Sequence, residues 1–256
     1  MENKNIQNEN IEKLTEILKR LNTEEITEDL REEALKIVSS INPLELSIAE
    51  QNLIEEGMNP QDLRHLCDIH MEVLKDKLDK IKTQISKGHV LHTFIGEHEK
   101  ILGFLTELEK LNSKIQKMEK YEHNAEEFKK LVEVANKILD AEKHHKREED
   151  VLFKEMEDRK ITGPTRIMRM EHDDLRERKK QLKNIAEFVP QLDFETFKKT
   201  LHEVSKYIIF NLRDHIFKEN YILYPSALQS INDEEVWKDM KRRCDEVGYC
   251  SFTEDK

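Results

Sequence analysis

The chain contains few of the residues that interrupt helices or build sheets. Of its 256 residues only 6 are glycine and 5 are proline, and aromatic residues make up 6%. Scarce glycine and proline leave long stretches without turn signals, and scarce aromatic residues disfavour strands. These absences argue against a sheet-rich fold. The sequence therefore predicts an all-α protein made of long amphipathic helices.

Three further absences narrow the classes of function. No apolar run approaches the roughly 18 residues that a membrane-spanning helix needs, and the N-terminal segment MENKNIQNEN lacks the apolar stretch of a signal peptide. Positive charge is in deficit, with a net charge of −11 at pH 7, so the phosphates of a nucleic acid would be repelled. The few cysteines, Cys67, Cys244 and Cys250, suit reduced thiols better than a disulfide framework. We expect a cytoplasmic protein that binds neither membranes nor nucleic acid.

Start and stop signals divide the chain into four regions. Residues 1–9 form a polar lead that we expect to be disordered. Residues 10–87 contain short helical segments and are predicted to form a small helical domain. Residues 88–230 are predicted to form a larger helical domain, and residues 231–256 a C-terminal helix and tail.

The larger domain is predicted to contain four long helices. The first covers about 89–120, and the second runs from Asn124 to about 158. The third follows Thr162-Gly163-Pro164 and ends near Phe188, and the fourth spans about 193–223 and is expected to stop before Pro225. Helices of this length with short connections are typical of an up-down-up-down four-helix bundle.

A faint repeat runs through this predicted bundle. HHKREEDVLF at 144–153 and HIFKENYILY at 215–224 align without a gap, and each begins with a histidine that has a glutamate four residues later. On the helix before each of them lies a Glu-His pair, Glu97–His98 or Glu171–His172. The bundle is therefore predicted to consist of two helical hairpins of one pattern, each offering one histidine and then His-x-x-x-Glu.

The spacing in this repeat has a chemical reason. Residues four apart differ by about 40° around a helix, so the histidine and the glutamate project from one face. On the fourth helix that face is an apolar stripe, where a charged pair is costly unless a metal ion compensates it. Two such hairpins would supply four histidines and two glutamates to two metal ions held close together, with the glutamates able to bridge them. The candidate metal ligands are His98, His144, Glu148, His172, His215 and Glu219.

Two assignments stay open on the pattern alone. On the second helix both His144/Glu148 and His145/Glu149 are compatible with an inward face. The repeat favours His144 and Glu148, because His145 aligns with Ile216, and it leaves His145 and Glu149 to packing and solvent. His92 would be an additional ligand at the same end of the bundle, but its angular distance from His98 favours an outer or surface role.

The motifs of residues 88–230 resemble those of hemerythrin-like cation-binding domains, which are four-helix bundles that hold a non-haem di-iron centre. The resemblance rests on HHKREEDVLF, DHIFKENYILYPSAL and the two Glu-His segments. It implies a centre of two iron ions, with Glu148 and Glu219 as bridging carboxylates and four terminal ligands, His98, His144, His172 and His215. Manganese or zinc would also bind such a set.

One departure from the family pattern bears on function. Oxygen-carrying hemerythrins place two histidines four apart on the third helix, whereas Met168 and Arg176 lie four residues either side of His172. The resemblance therefore implies a protein that binds or senses O2, NO or redox state, or that supports repair of iron centres under stress, more than one that stores oxygen. The alternatives are a di-iron peroxidase or oxidase and an interaction module whose metal only staples the helices.

The N-terminal domain has a resemblance of its own. IAEQNLIEEGMNPQDLRHLCDIH resembles a helical domain of unknown function that often precedes such bundles, which implies a protein partner bound through this domain. Cys67 and His70 lie three residues apart within it. Two ligands make no structural metal site by themselves, so we expect these side chains to serve packing.

Overall fold

A computed structural model describes residues 12–17, 19–20, 27–40, 85–121, 125–188 and 193–254 of the chain. The chain divides into two compact units: the first consists of Met1–Gln84 and Asn220–Ile222, and the second of Ile85–Glu219 and Leu223–Lys256. The described residues include helices and turns but no strand. The predicted lead at residues 1–9, the helix expected after Asn59, and the Cys67–His70 pair lie outside the described residues.

The described part of the first unit is helical. Residues 12–17 form a helical turn, and α1 spans Glu28–Ser40. The hydroxyl of Thr27 accepts a hydrogen bond from the Leu30 backbone N–H at 3.2 Å, which satisfies one of the free donors at the start of α1. Leu30 and Ala34 lie four residues apart and are both buried, so α1 buries one face, as its amphipathic sequence predicts.

The four long helices of the bundle lie in the second unit, apart from Asn220–Ile222. The first bundle helix is α2, Val90–Ile115. The second consists of α3 (Glu126–Asp140), α4 (Glu142–Arg147), a π-helical turn (Glu148–Leu152) and α5 (Phe153–Asp158). The third is α6, Gly163–Glu187. The fourth consists of α7 (Phe194–Lys218), a second π-helical turn (Glu219–Leu223) and α8 (Tyr224–Ser230). A shorter helix, α9, follows at Glu234–Val247.

The four bundle helices close a ring around one core. Each packs against the helices before and after it, and the fourth packs against the first. Apolar residues at helical spacing, such as Phe128, Leu131, Val134 and Ile138 on α3, supply the buried face. The prediction of an all-α protein with an up-down-up-down four-helix bundle preceded by a small helical region is confirmed.

The predicted start of the second bundle helix is shifted by two residues. The second bundle helix begins at Glu126 with Ala125 as its N-cap, two residues after the expected Asn124. The acidic residues of its first turn are stabilised by the positive end of the helix dipole. Helix α9 begins at Glu234, where the Asp233 carboxylate accepts a hydrogen bond from the Glu235 N–H at 2.9 Å. Capping side chains and acidic first turns thus indicate where a helix begins more closely than the spacing of its apolar residues does.

The fourth bundle helix does not stop before Pro225, so that prediction is wrong. The helix continues to Ser230, and Pro225 lies in the first turn of α8, directly after the second π-helical turn. A proline in a first turn removes a backbone donor that needs no partner within the helix. The proline therefore marks the irregular turn and not the end of the helix.

The C-terminal segment packs against the bundle. Trp237, the only tryptophan of the chain, donates its indole N–H to the Ile231 carbonyl at 2.9 Å, and its ring centroid lies 4.4 Å from that of His89. Cys244 and Cys250 are free and buried. In the described part of the chain, no helix combines the length and the apolar character required to cross a membrane.

Candidate metal centre

Two π-helical turns interrupt the bundle at matching places of the repeat. One spans Glu148–Leu152 and the other Glu219–Leu223, so each begins at a predicted glutamate ligand. In an α-helix, residues five apart point about 140° away from each other, whereas a π-helical turn brings them towards the same side. Each glutamate can therefore share its face with the aromatic residue five positions later, Phe153 or Tyr224.

The six predicted ligands lie together in the interior of the bundle, where each is at most 1% exposed. They form two groups of four whose donor atoms all lie within 4.8 Å of one another, and the two groups share both glutamates. One group is His98, His144, Glu148 and Glu219, and the other is Glu148, His172, His215 and Glu219.

The donor atoms have the spacing that a bound ion requires. Glu219 shows this most clearly, because its carboxylate oxygens lie near the Nε2 atoms of three histidines, at 3.0 Å from His98, 3.4 Å from His172 and 2.8 Å from His215. Ligand atoms that are each about 2.1 Å from one ion lie about 3.0–3.4 Å from each other. The contacts therefore match the edges of a metal coordination sphere.

Three polar atoms in the cluster are buried without a hydrogen bond: Glu148 Oε2, Glu219 Oε2 and His215 Nε2. Their close contacts lack hydrogen-bond geometry, and an unsatisfied buried polar atom costs about 1–3 kcal/mol. The Nε2 atoms of His98 and His144 also face each other at 3.0 Å. A cation among these atoms would satisfy them together, so the side chains present fit a metal site.

Comparison with known protein families identifies the bundle. Residues 89–227, more than half of the chain, match the hemerythrin HHE cation-binding domain. The chain belongs to the hemerythrin HHE cation-binding family. Residues 14–80 match DUF438, a family of unknown function, and no similar curated protein was found. The bundle is thus a cation-binding hemerythrin domain, as its motifs predicted.

Glutamates orient the histidines of the hemerythrin domain from behind. His144 Nδ1 donates to Glu97 Oε2 at 2.7 Å, and His215 Nδ1 donates to Glu171 Oε2 at 2.8 Å. Because an ionised carboxylate only accepts, each Nδ1 carries a proton and Nε2 can offer its lone pair to a metal ion. The glutamate of each Glu-His pair thus serves a histidine of the next helix. The repeated Glu-His pair was the signal for this role, which the sequence analysis missed.

Each of these two glutamates is held by a cation at the same repeat position. Arg147 Nη2 donates to both carboxylate oxygens of Glu97, at 2.6 and 2.7 Å. Lys218 Nζ donates to Glu171 Oε1 at 2.7 Å. Both cations stand three residues after the first histidine of the repeat, in HHKR and HIFK. The two hairpins therefore repeat an arrangement of cation, carboxylate and imidazole as well as the ligands.

These contacts set the protonation of the metal-free cluster. Burial disfavours charge on His144, but Glu148 and Glu97 outweigh it and raise the pKa of His144 to about 9. Burial is likewise outweighed by neighbouring carboxylates at His215, whose pKa is raised to about 10. Burial acts to raise the pKa of Glu97, but His144 and Arg147 lower it to about 2. Metal uptake must therefore displace protons from both histidines.

The second Glu of the HHKREE segment also serves the site. His172 Nδ1 donates to Glu149 Oε1 at 2.8 Å, and Arg176 Nη2 donates to the same oxygen at 3.2 Å. The expectation that Glu149 serves only packing and solvent is wrong. His144 and Glu148 do lie in the donor groups, and their neighbour in sequence orients a histidine of the other hairpin.

His145 is buried against the cluster and not exposed to solvent. It is 1% exposed, and its ring stacks on that of His172 with centroids 4.0 Å apart and an interplanar angle of 4°. One of its nitrogens lies within 4.8 Å of nitrogens of His172 and His215. The predicted packing role is correct and the predicted solvent role is wrong. The alignment of His145 with Ile216 did not predict that a histidine would lie against the cluster, because the two repeats are not equivalent at this position.

An aromatic residue from each repeat covers a histidine of the other hairpin. Phe153 stacks on His172, with centroids 5.7 Å apart, and Tyr224 stacks on His98 at 5.5 Å. The Tyr224 hydroxyl also donates to Glu148 Oε1 at 2.7 Å. Burial and the nearby Glu148 carboxylate raise the pKa of Tyr224, so this hydroxyl stays neutral. The aromatic residues of the two repeats therefore differ by one hydroxyl group, which only Tyr224 supplies.

His92 lies outside the donor groups that the described residues form. Its side chain is half-buried, and its backbone N–H donates to the His89 carbonyl at 2.9 Å in the first turn of α2. Its Nδ1 is buried without a hydrogen bond, and the outer or surface role that the sequence favoured stays a prediction.

Replacing Glu97 by glutamine should weaken the binding of one metal ion by about 10- to 100-fold, because His144 loses the carboxylate that orients it. The free energy of unfolding should fall as well, because Arg147 stays buried without its ionic partner. Competition with a chromogenic chelator measures the affinity. Glu99→Gln, an exposed change on the same helix, is the control. Wild-type affinity in Glu97→Gln would contradict the orienting role.

Proposed function

We propose that the hemerythrin domain of this chain holds two iron ions. Two groups of four donors that share both glutamates support this proposal. Imidazole and carboxylate donors suit iron, although manganese or zinc would also bind them. Glu148 and Glu219 would bridge the ions, and each ion would take two terminal histidines, His98 and His144 for one and His172 and His215 for the other.

Four protein donors leave each ion with positions for a small ligand. Bound iron would supply reversible ligand binding and electron transfer at this place. We propose that the protein binds or senses O2, NO or redox state, or supports repair of iron centres under stress. The third bundle helix favours these functions over oxygen storage, because the positions four residues either side of His172 offer no imidazole: Met168 is buried, and Arg176 is engaged with Glu142 and Glu149.

The chain's own groups prepare the site for such a ligand. Glu97, Glu149 and Glu171 each engage Nδ1 of one imidazole, so that Nε2 of His144, His172 and His215 would be free to hold the ions. Tyr224 donates to one bridging carboxylate and leaves its second oxygen without a hydrogen bond. Complete burial of the ligands excludes bulk water, which strengthens every charge interaction in the site.

We further propose that the protein acts in the cytoplasm and signals through a protein partner of its N-terminal domain. The free cysteines Cys244 and Cys250 support the location, because reduced thiols suit a reducing compartment. The proposal of a partner rests on the resemblance of the N-terminal region, which matches a family of unknown function over residues 14–80.

The test is the optical response of the iron-loaded chain to NO, O2 and hydrogen peroxide under anaerobic handling. We expect spectral adducts in proportion to the bound iron and no repeated consumption of peroxide. Multiple turnovers of peroxide would overturn the proposal in favour of a peroxidase. No spectral change with any of the three would indicate that the metal only stabilises the packing of the helices. His202→Ala, an exposed histidine of the fourth bundle helix, is a control that should respond as wild type.

A further inference from the structure

The hydrogen-bond partner of His145 carries a positive charge, whereas the partners of the neighbouring histidines carry a negative charge. His144, His172 and His215 each direct Nδ1 to a glutamate. At His145 the group beside Nδ1 is instead the ammonium of Lys179, at 3.1 Å. The two kinds of partner place the proton on opposite nitrogens of the imidazole ring.

Lys179 can only donate to His145. An ammonium group has three N–H donors and no acceptor. Burial lowers the pKa of Lys179, whereas Glu142 Oε2, which lies 3.0 Å from Lys179 Nζ, acts to raise it and favours the charged form. Lys179 is fully buried, so no bulk water competes for its protons. Glu142 Oε2 itself lies 3.8 Å from His145 Nδ1, which is too far for a hydrogen bond. Nδ1 of His145 is therefore an acceptor, and the proton of the neutral ring is on Nε2.

The protonated nitrogen is the one that Lys179 leaves unengaged. A nitrogen of His145 lies within 4.8 Å of donor nitrogens of His172 and His215, and Nδ1 is engaged by Lys179. Nε2 with its proton has no lone pair to give to a metal ion. At the equivalent position of the other repeat, Ile216 is apolar and offers no donor.

We propose that His145 is a hydrogen-bond donor to a small ligand at the ion held by His172 and His215, and is not itself a metal ligand. The ligand class is a small anion or diatomic molecule with a lone pair on its outer atom. Lys179 is the positioning residue that fixes the donor. The inference rests on the proposed function, because it needs an ion with a free coordination position.

Nitrogen NMR of the zinc-loaded full chain tests the protonation of His145 directly, since zinc is diamagnetic. With ¹⁵N-labelled histidine, we expect His145 to show an unprotonated Nδ1 and a protonated Nε2. In Lys179→Met this pattern should give way to a mixture of both tautomers. Lys180→Met, which removes an exposed lysine paired with Glu177, should leave it unchanged. A metal-bound Nε2 signal for His145 in the wild-type chain would overturn the proposal.

Azide affinity of the iron-loaded chain tests the donor role. His145→Leu should weaken azide binding by about tenfold, the effect of losing one net hydrogen bond, while two metal ions per chain are retained. His145→Gln keeps an N–H donor and should recover part of the affinity. Unchanged azide affinity in His145→Leu, or loss of one ion from it, would overturn the proposal. If His145→Leu does not fold, azide affinity in Lys179→Met relative to Lys180→Met decides in the same way.

The metal content distinguishes a failure of the proposed function from a failure of the donor role alone. A wild-type chain that binds no metal ion contradicts the proposed function and with it the donor role. A wild-type chain with two ions, together with a metal-bound His145, contradicts the donor role alone and leaves the proposed function standing.

Discussion

Replacing Glu219 by alanine should remove both metal ions, because this carboxylate belongs to both donor groups. Loss of a residue that only orients a ligand already weakens metal binding by about 10- to 100-fold, so loss of a shared ligand should weaken each site by more than about 100-fold. Metal content after equilibration with a chelator of intermediate affinity measures the effect. His215 belongs to only one of the two four-donor groups that share the glutamates, so His215→Ala should lose one ion and keep the other more weakly.

Matched controls keep this comparison specific. Glu203 and His202 are exposed on the same bundle helix, and replacing either by alanine should leave two ions bound. Unchanged metal loading in Glu219→Ala would remove this residue from the ligand set. Equal losses in Glu219→Ala and His215→Ala would contradict the sharing of Glu219 by two ions.

Removing the metal ions should lower the free energy of unfolding by several kcal/mol. A ligand that binds only the folded state stabilises it by about 4 kcal/mol at a thousandfold excess over its Kd. Without the ions the three unsatisfied buried atoms of the cluster also stay unpaired. Denaturant unfolding of the loaded chain and of the chelated chain measures the difference. Equal stabilities would show that the cluster does not depend on metal.

The metal-free chain should also lose stability as the pH rises from 7 to 10. The pKa values of His144 and His215 in the folded chain are about 9 and 10, above the value of about 6.5 in an unfolded chain. Protonation of these residues therefore favours folding below pH 6.5, and the gain is lost as the pH rises through 9 and 10. In the loaded chain the ions keep both imidazoles neutral, so its stability should stay level over this range.

The ligands could be predicted from the sequence because their spacing is local. A histidine and a glutamate four residues apart share a helix face whatever the fold around them, and the repetition at His144 and His215 distinguished them from chance pairs. The structure brings all six predicted residues together. Their role as ligands stays a proposal until metal is measured.

The residues around the ligands could not be found in the same way. Tyr224 reaches Glu148 because a π-helical turn changes the side on which it emerges, and the sequences EEDVL and ENYIL share no signal for such a turn. Lys179 meets His145 across two helices. Such a contact depends on how the helices pack, and the period of one helix does not specify it.

Metal identity and stoichiometry test the central claim most directly. The full chain should be purified without oxygen, and its metal and protein content should be measured by inductively coupled plasma mass spectrometry and amino-acid analysis. We expect two iron ions per chain in the wild-type protein and at most a trace in Glu219→Ala. A wild-type chain that takes up no metal, or one ion at saturation, would contradict a two-metal centre built on shared glutamates.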